Sequence, residues 1–470
     1  MITSDTICAI CTAAGRGAIA VLRLSGADAI GIADKRFRPM AGVKKLSDQA
    51  ARTLHYGTIV DETGTAIDDV VVSLFRAPHS YTGEDTVEVS CHGSTLVQRR
   101  ILQTLIDAGA RMAGPGEFTK RAFVNGKMDL SQAEAVADMI AADSEAARRV
   151  AFSQMRGGFS HQLADLREKL IHFASLVELE LDFSEEDVEF ADRRELTQLT
   201  DEILMVVTRL ADSFRLGNAI KEGVATAIVG APNVGKSTLL NALLNEERAI
   251  VSDIKGTTRD TIEEKLSIGD LTFRLIDTAG IRDTQDVIEA EGVRRSKEAA
   301  KKAQVVVLMA DATQGEDAAA REASDIKTVM KGEEQSLIVA LNKADACETD
   351  PSSWVTEDWR RRVGASDVVV MSARDGRGVD ELKDAMVRCV SEGGDVCGED
   401  VIVTNARHYE ALVTAREALM RVSAGLNTGM GGEILSADLR DATDALASIT
   451  GEVSSQDVLV NIFKNFCIGK

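Results

Sequence analysis

Positive charge is scarce in this sequence. Its 470 residues include 54 Lys and Arg against 75 Asp and Glu, which gives a formal net charge of −21 at pH 7. Such acidity favours solubility and argues against a broad nucleic-acid-binding face. It does not exclude RNA, because a local patch or a basic partner could supply the attraction.

Cysteines are few and scattered, and an odd count of seven does not make a disulfide framework. Cys8 and Cys11 form a C-x-x-C motif with no second pair nearby. A β-strand of small residues is therefore a better interpretation than a zinc site. Cys467 lies close to the end of the chain, but Gly469 and Lys470 do not fit a prenylation signal.

Long hydrophobic runs are also missing. The sequence shows no N-terminal signal peptide and no long apolar stretch, so we expect a cytoplasmic protein with no membrane segment. Hydrophobic residues still make up 44% of the chain, an ordinary share for globular domains with real cores. The length suggests about three domains.

The stretch from Gly230 to Thr238, Gly-Ala-Pro-Asn-Val-Gly-Lys-Ser-Thr, fits the phosphate-binding loop pattern. The apolar run 225–229 before it predicts a buried strand, and the leucines after it predict a helix with one buried side. In that context the loop amides and the positive end of the helix dipole converge on a phosphate. Lys236 would reach the β- and γ-phosphates, and Ser237 would hold Mg²⁺.

Two further motifs each follow an apolar run that predicts a strand. After 271–276 comes Asp277-Thr278-Ala279-Gly280, whose Asp can hold Mg²⁺ through water and whose Gly amide can meet a γ-phosphate. After 337–341 comes Asn342-Lys343-Ala344-Asp345. The Asp345 carboxylate can accept two hydrogen bonds from guanine N1 and its 2-amino group, donors that adenine lacks. The base is therefore guanine.

Ser372-Ala373, after the run 368–371, would close over the base, and a switch threonine in 256–260 would cap Mg²⁺. Five motifs in this order predict a GTPase domain from about Glu222 to Arg388, with a mostly parallel sheet and helices on both faces. The predicted GTP-binding residues are Asn233, Val234, Gly235, Lys236, Ser237, Thr238, Ser252, Asp253, Ile254, Lys255, Gly256, Thr257, Thr258, Asp277, Thr278, Ala279, Gly280, Asn342, Lys343, Ala344, Asp345, Ser372, Ala373 and Arg374.

Ile281 follows the second motif, where Ras-like switches place a Gln that positions the attacking water. Isoleucine can neither orient water nor accept a proton, so the water must be handled from elsewhere. Asn233 could coordinate a monovalent cation that offsets charge at the β–γ bridge. It could equally be a loop residue that tolerates an awkward backbone angle.

The flanks predict two further structural types. Residues 1–125 look like a mixed α/β unit with strands near 18–24, 56–60, 70–75 and 86–90 and a helix over 94–108. From Leu130 the period becomes helical, and Ser131 and Glu134 are predicted to form a capping box. Apolar stripes recur at Leu163–Val177, Leu196–Leu210, Leu412–Leu426 and Leu439–Ile449, and a last short helix runs from Val458 to Phe466.

The helices after the GTPase segment are each too small to form their own core. We therefore expect them to pack on the helices before Lys221, so that the GTPase domain is an insertion into one helical domain. The predicted fold class is α/β plus α. The predicted boundaries are 1–125 for the N-terminal domain, 126–221 and 389–470 for the two parts of the helical domain, and 222–388 for the GTPase domain.

The chain resembles the MnmE (TrmE) family of bacterial tRNA modification GTPases. The likeness rests on the phosphate loop with Asn233, Gly-Thr-Thr-Arg-Asp at 256–260, and Asp-Thr-Ala-Gly at 277–280. Outside the GTPase segment it rests on Gly-Arg-Gly at 15–17, Gly-Glu-Asp at 83–85, Gly-Glu-Phe-Thr-Lys-Arg-Ala-Phe at 116–123, and the terminal Cys-Ile-Gly-Lys. Generic GTPases lack the terminal motif, which makes it the most specific of these.

The resemblance implies a homodimer with an N-terminal folate-binding and dimerisation domain. With the flavoprotein MnmG (GidA), in a heterotetramer or larger complex, it would add a carboxymethylaminomethyl-type group to the 5-carbon of the tRNA wobble uridine. A tetrahydrofolate derivative, 5-formyl or methylene, would supply the one-carbon unit, and the partner would bring FAD and NADH. GTP hydrolysis would be potassium-activated and accompanied by pairing of the GTPase domains.

The resemblance also implies site residues. By position Glu289 would orient the hydrolytic water, and Lys236 and Cys467 would be catalytic. The potassium ligands would be Asn233, Ser252, Ile254 and Thr257, the Mg²⁺ ligands Ser237 and Thr258, and the folate contacts Arg23, Glu84, Lys127 and Lys470.

The chemistry of these residues is reasonable, since a pterin needs a carboxylate on its amino edge and the acidic tail of folate needs cations. Without the family match each charged residue would be read as a surface salt bridge. Cys467 could be a nucleophile or thiolate, or a buried structural thiol.

A different class of function stays open at this point: a GTPase that is only a binding switch, such as an Era-like ribosome assembly factor. Those proteins usually add a basic RNA-binding module, and neither flank has a recognisable one. The sequence does not reveal which tRNAs are modified, whether glycine or ammonium supplies the nitrogen, or how GTP hydrolysis couples to the chemistry.

Overall fold

The computed structural model describes residues 5–40, 44–182, 193–247, 264–276, 289–330, 335–391, 401–453, 456–464 and 466–469. The chain divides into two compact units. The first comprises Met1–Ile140, Ser153–His172 and Thr443–Lys470, and the second comprises Ala141–Phe152 and Phe173–Ala442.

A seven-stranded sheet organises the first unit, with strand order β3-β4-β5-β6-β2-β1-β7. All neighbouring pairs are antiparallel except β1 and β7, which run parallel. The strands are β1 (Ile7–Ile10), β2 (Ile19–Ser25), β3 (Phe37–Pro39), β4 (Thr53–Val60), β5 (Ala66–Phe75), β6 (Thr86–His92) and β7 (Arg111–Met112). The strands expected from residues 1–125 are therefore present, and Cys8 lies in β1, as predicted.

One face of this sheet is covered by α1 (Ala29–Arg36) and α2 (Thr95–Asp107). Alternate residues of the central strands point into that core, as Val87, Val89 and Cys91 do in β6. Burial raises the pKa of the Cys8 thiol to about 11 and that of Cys91 to about 11. Within the described residues no group of three or more His, Cys, Asp or Glu could hold a metal ion.

The start of α4 corrects one sequence prediction. The helices after β7 are α3 (Glu117–Val124), α4 (Leu130–Ala141), α5 (Glu145–Met155), α6 (Gly158–Asp182), α7 (Arg193–Asp212) and α8 (Phe214–Glu222). At α4 the capping box is Asp129 with Gln132: the Asp129 carboxylate accepts the Gln132 amide at 2.9 Å, and Gln132 Oε1 accepts the Asp129 amide at 2.9 Å. The predicted box at Ser131 and Glu134 is wrong, because Asp129 precedes them and the helix begins one residue earlier.

The apolar stripes of α6, α14 (Ala406–Thr428) and α15 (Gly432–Thr450) are buried as predicted. In α7 the stripe is shifted, because Thr200 and Val207 are buried there together with Leu196, Ile203 and Leu210. Leu199 and Val206, which the stripe predicted from Leu196 to Leu210 also includes, are only half-buried. The last helix, α16 (Gln456–Lys464), ends before Phe466.

The helices that follow the GTPase segment contact those that precede it within the second unit. α14 packs along α7, and Arg416 of α14 lies 3.6 Å from Asp212. The chain also enters and leaves the GTPase segment at one place, where the Val403 amide donates to Ser213 Oγ at 3.1 Å. A Cβ on Gly217 would lie 2.0 Å from the Val403 carbonyl oxygen, so only glycine permits this approach.

A six-stranded sheet forms the core of the second unit, in the order β13-β12-β11-β8-β10-β9. Its strands are β8 (Val224–Gly230), β9 (Glu264–Ile268), β10 (Leu271–Leu275), β11 (Val305–Asp311), β12 (Ser336–Asn342) and β13 (Asp367–Val370). Every neighbouring pair is parallel except β9 with β10. The predicted mostly parallel sheet is confirmed.

Helices pack on both faces of this sheet. One apolar core contains residues of α8, α9 (Lys236–Glu247) and α13 (Val379–Ser391). The other contains residues of α10 (Glu289–Lys302), α11 (Glu316–Lys327) and α12 (Glu357–Val363). In a doubly wound sheet of this kind a ligand binds at the carboxyl ends of the parallel strands. No helix in the described ranges is long and apolar enough to cross a membrane.

Candidate functional site

The phosphate-binding loop joins the carboxyl end of β8 to the first turn of α9. Gly230 and Gly235 have backbone φ angles of 149° and 106°, which residues other than glycine rarely adopt. A Cβ on Gly230 would lie 2.2 Å from the Met309 carbonyl oxygen, and one on Gly235 would lie 2.4 Å from Asn342 Nδ2. Both glycines are therefore required by their surroundings, and they leave a cradle of backbone amides at the helix N-terminus.

Lys236 lies within the loop it would serve. Its Nζ donates to the carbonyl oxygens of Gly230 and Ala231, both at 2.8 Å. Burial lowers the pKa of Lys236, and the nearby Glu322 carboxylate opposes that shift. The Lys236 ammonium is thus held within the loop by carbonyl oxygens. A bound phosphate would supply an anionic partner for this half-buried cation.

Asn342 joins three loops. The residue is 3% exposed. Its amide nitrogen donates to the Val234 carbonyl oxygen at 2.7 Å, and its amide oxygen accepts the Ala373 amide at 2.8 Å. The Asn342–Asp345 segment and the Ser372–Ala373 segment are therefore fixed to the phosphate loop by a single buried side chain.

The loop after β12 is shaped by Lys343. Lys343 has a φ of 65°, in the left-handed region, and its Nζ lies 2.7 Å from Asp311 Oδ2. The Ala344 amide donates to the Met371 carbonyl oxygen at 3.1 Å. Asp345 follows in the 3₁₀ turn Ala344–Ala346 and is exposed.

Two acidic residues near the loop were missed by sequence reasoning. Asp311 ends β11, and although its burial raises its pKa, hydrogen bonds from Lys343 and Thr313 outweigh that effect and lower the pKa. Glu322 on α11 has a raised pKa, because of burial and then because of Asp311. The apolar run 305–310 followed by Asp311 was the available signal for the first; nothing in the pattern of α11 marked the second.

Asn233 is exposed and has a φ of 61°. This left-handed conformation is the awkward backbone angle that one interpretation of Asn233 predicted, and it leaves the cation interpretation untested. Ser237 lies in the first turn of α9, and Arg374 is exposed next to Ala373.

Several predicted site residues lie outside the described residues. α10 begins at Glu289, but its side chain is not among those described. The others are Ser252, Asp253, Ile254, Lys255, Gly256, Thr257, Thr258, Asp277, Thr278, Ala279, Gly280 and Lys470.

In the first unit Glu84 is the centre of a polar cluster. Its carboxylate accepts the Ser25 hydroxyl at 2.7 Å and lies 3.2 Å from Arg121 Nη1. Arg121 is 9% exposed and also pairs with Asp5 and Glu117. Sequence reasoning missed Arg121, although it lies inside the motif at 116–123.

The other two described candidates for folate contacts lie nearby. Arg23 pairs with Glu88 at 2.8 Å, and its guanidinium lies 5.1 Å from the centre of the Tyr81 ring and 5.6 Å from that of Phe118. Lys127 Nζ donates to the Pro78 carbonyl oxygen at 2.9 Å. Both therefore border the loop 76–85 that carries Glu84, and the cluster offers cationic, anionic and aromatic groups together.

The terminal motif meets the 114–118 turn within the first unit. The Gly116 amide donates to the Cys467 carbonyl oxygen at 3.3 Å, and Ile468 pairs with Pro115. Gly469 lies against β1, where a Cβ would be 2.3 Å from the Ile10 carbonyl oxygen. Cys467 itself is exposed, so the alternative of a buried structural thiol is wrong.

Comparison with known proteins decides the family. The model of the MnmE helical domain matches residues 130–467, and that of the GTP-binding protein TrmE N-terminus matches residues 6–127. A tRNA modification GTPase MnmE of Parabacteroides distasonis is 53% identical, covering 99% of this chain and 100% of that protein. One of Flavobacterium johnsoniae is 50% identical, covering 100% of both.

The chain belongs to the MnmE family of tRNA modification GTPases. It is therefore a GTPase, and the phosphate loop described above is the P-loop of an MnmE protein. The match also covers both flanks, which a ribosome-assembly switch with an added RNA-binding module does not predict.

Among solved structures, Era in complex with MgGDPNP and nucleotides 1506-1542 of 16S ribosomal RNA is 30% identical, covering 42% of this chain and 66% of that chain, with a TM-score of 0.28. The fold assignment for this MnmE protein rests on its own sheet order and its two helical layers.

Proposed function

We propose that this chain is a potassium-activated GTPase that, with the flavoprotein MnmG, adds a carboxymethylaminomethyl-type group to the 5-carbon of the tRNA wobble uridine. The observation that carries the proposal is the match to tRNA modification GTPases over 99% of this chain. The joining of three nucleotide loops by Asn342 supports the GTPase half of it. The Glu84 cluster, which offers both charges beside aromatic rings, supports the folate half.

In this proposal Lys236 and the loop amides bind the phosphates, and Asp345 reads the guanine. Ser237, with Thr258, is the proposed holder of Mg²⁺, an ion that would neutralise charge on the phosphates. The hydroxyl of Ser237 in the first turn of α9 is the donor type that this loop requires for Mg²⁺. Glu289 is the proposed residue that orients the hydrolytic water, on the family resemblance alone.

Potassium dependence gives a direct test of the Asn233 assignment. With Mg²⁺ saturating, GTP turnover is expected to fall roughly tenfold or more when Na⁺ replaces K⁺, because an ion at the β–γ bridge offsets developing charge. Asn233→Ala should remove the difference between the two salts. Asn405→Ala, which alters a helix cap in the same unit, should keep it. Equal wild-type rates in both salts would make Asn233 a structural loop residue.

We further propose a folate derivative, 5-formyl- or methylene-tetrahydrofolate, as the one-carbon donor in the first unit, with FAD and NADH on the partner protein. Glu84 would meet the amino edge of the pterin, and Arg23, Lys127 and Lys470 would meet the acidic tail. The exposed Cys467 is close in sequence to Gly469, which lies against β1. A role for its thiol in the modification is part of the same proposal.

A homodimer is proposed through exposed apolar side chains on the face of the first sheet opposite α1 and α2. Ile19, Leu54, Tyr56 and Val71 are 68, 71, 51 and 37% exposed on strands β2, β4 and β5, and Tyr56 pairs directly with Val71 in the register. Apolar faces of this kind mark interaction sites. Sedimentation of the full chain should give about twice its 50.4 kDa, and Tyr56→Asp with Leu54→Asp should give the monomer. A monomeric wild-type chain would exclude this interface.

We keep the boundaries 1–125, 126–221, 222–388 and 389–470 as the proposed domain division. The contact between Ser213 and Val403, where the chain enters and leaves the GTPase segment, supports an insertion into one helical domain. A cytoplasmic location is proposed, because tRNA and GTP are used there. Association with MnmG in a heterotetramer or larger complex is proposed on the family resemblance alone.

A further inference from the structure

A basic surface lies in the first unit of this acidic chain. The segment from Asp34 to Arg52 carries six Lys or Arg residues and two Asp, whereas the whole chain has a formal charge of −21. We call the α1–β4 basic surface the set Lys35, Arg36, Arg38, Lys44, Lys45, Arg52 and Arg76.

The fold gathers these residues. The Asp34 carboxylate accepts the backbone amides of Leu46 and Ser47 at 2.6 and 3.0 Å, which holds the turn after Lys44 and Lys45 against the end of α1. Arg76, which directly follows β5, also belongs to this surface. Its guanidinium donates to the Ser47 and Gln49 carbonyl oxygens at 2.9 and 3.2 Å.

The same surface extends along the sheet edge. Arg38 on the edge strand β3 lies opposite Thr58 of β4, and Arg52 immediately precedes β4. At about 3.3 Å per residue these two positions are roughly 20 Å apart.

None of these seven cations forms an ion pair with any residue in the described ranges. Where Lys35, Arg38 and Arg76 donate hydrogen bonds, the acceptors are backbone carbonyl oxygens, which position the side chains without neutralising them. Asp34, which precedes Lys35, uses both carboxylate oxygens on backbone amides. Some arginines elsewhere are paired, as Arg111 and Arg388 are with Glu117 and Asp367.

Stabilisation of the α1 helix dipole accounts for only part of this set of cations. Lys35 and Arg36 lie in the last turn of α1, where cations offset the helix dipole. That effect falls off within one turn, so it does not account for the cations after it. Lys35, Arg38, Lys44, Lys45 and Arg52 are exposed to solvent, and in an acidic chain such a concentration of unpaired charge indicates an anionic partner.

We propose that the α1–β4 basic surface binds the phosphate backbone of tRNA. This inference rests on the proposed tRNA function and names the surface that contacts the substrate. Lys and Arg side chains that replace the counterions of several phosphates supply most of the affinity of such contacts. The acidity of the rest of the chain repels RNA, so the contact is local and orients the tRNA on the first unit, which also holds the Glu84 cluster.

The test measures binding of fluorescein-labelled bulk tRNA to the full chain by anisotropy, over a series of KCl concentrations. The variant K35Q/K44Q/K45Q removes three charges from the surface and leaves the sheet face with Leu54 and Tyr56 unchanged. The control R360Q/R361Q/R362Q removes three charges from α12, a helix with paired arginines. At about 0.1 M KCl the surface variant should bind roughly tenfold or more weakly. The plot of log affinity against log salt concentration has a negative slope, and its magnitude should decrease by about 2, because three phosphate contacts are lost.

The control variant should bind as the wild-type chain does. K44Q/K45Q alone, on a turn whose two side chains make no described hydrogen bond, should give an intermediate loss and guards against misfolding of the triple variant. If the surface variant binds tRNA with wild-type affinity and slope, the proposal fails while the tRNA function stands.

If the wild-type chain binds no tRNA, alone or with the flavoprotein, the proposed function fails and this inference with it. Phosphatidylserine vesicles provide the remaining arm. Vesicle binding that depends on the surface, together with unchanged tRNA binding, would overturn the proposal in favour of a membrane contact.

Discussion

Replacing Asn342 with Ala is expected to weaken GTP binding by roughly 100-fold and to destabilise the second unit. The buried side chain donates to Val234 at 2.7 Å and accepts from Ala373 at 2.8 Å. Its loss leaves one buried acceptor and one buried donor, each worth about 1–3 kcal/mol. It also unties the phosphate loop from the segment that closes over the base. Fluorescent-nucleotide titration and thermal unfolding would measure the two effects.

Asn405→Ala is the matched control for this change. Asn405 caps α14 by accepting the Arg407 amide at 3.0 Å, so its loss should cost about 1 kcal/mol of stability and leave GTP affinity unchanged. If Asn342→Ala bound GTP as tightly as Asn405→Ala does, the three loops would not depend on this side chain.

Replacing Glu84 with Gln is expected to weaken folate binding by roughly 10- to 100-fold. The substitution keeps the shape of the side chain but removes the negative charge, and charge-assisted hydrogen bonds contribute about 1.5–3 kcal/mol. The fold should survive, because Arg121 keeps its pairs with Asp5 and Glu117. Fluorescence titration of the full chain with 5-formyl-tetrahydrofolate would measure the change.

Asp61→Asn is the control for the folate measurement. Asp61 accepts hydrogen bonds from Thr63 and Thr65 in the turn after β4, and it takes no part in the Glu84 cluster. Its loss should leave folate affinity as it is. Unchanged binding by Glu84→Gln would reduce Glu84 to a structural partner of Arg121 and Ser25, and would move the pterin elsewhere.

Local patterns predicted the elements around the nucleotide well. The glycine spacing and the apolar run before it predicted β8, the loop and α9. Both signals come from residues that are neighbours in the sequence, so a short segment is enough to recognise them. Contacts between distant segments left weaker signals. The joining of Val234 and Ala373 by Asn342 needs the register of β12 against its neighbours, and no short motif contains that information.

Misses in the rest of the chain have local causes. The capping box was assigned to Ser131 and Glu134 because the pattern fits any Ser followed by Glu; the helix uses Asp129 and Gln132 instead, since they come first. Arg121 was overlooked because a buried cation is recognised by its partners, and Asp5 lies far from it in sequence. The cations of the α1–β4 basic surface can be counted in the sequence, but only the structure shows that they have no ion-pair partner among the described residues.

The most direct test of this account supplies unmodified tRNA with the full chain, the flavoprotein MnmG with FAD and NADH, GTP, MgCl2, KCl, glycine, ammonium, and methylene-tetrahydrofolate labelled with ¹³C in its one-carbon unit. Mass spectrometry of the digested tRNA should show ¹³C in the substituent on the 5-carbon of the wobble uridine. The label should be absent when Asn342→Ala replaces the wild-type chain. Labelling that proceeds without this chain, or no labelling with every component present, would contradict the account.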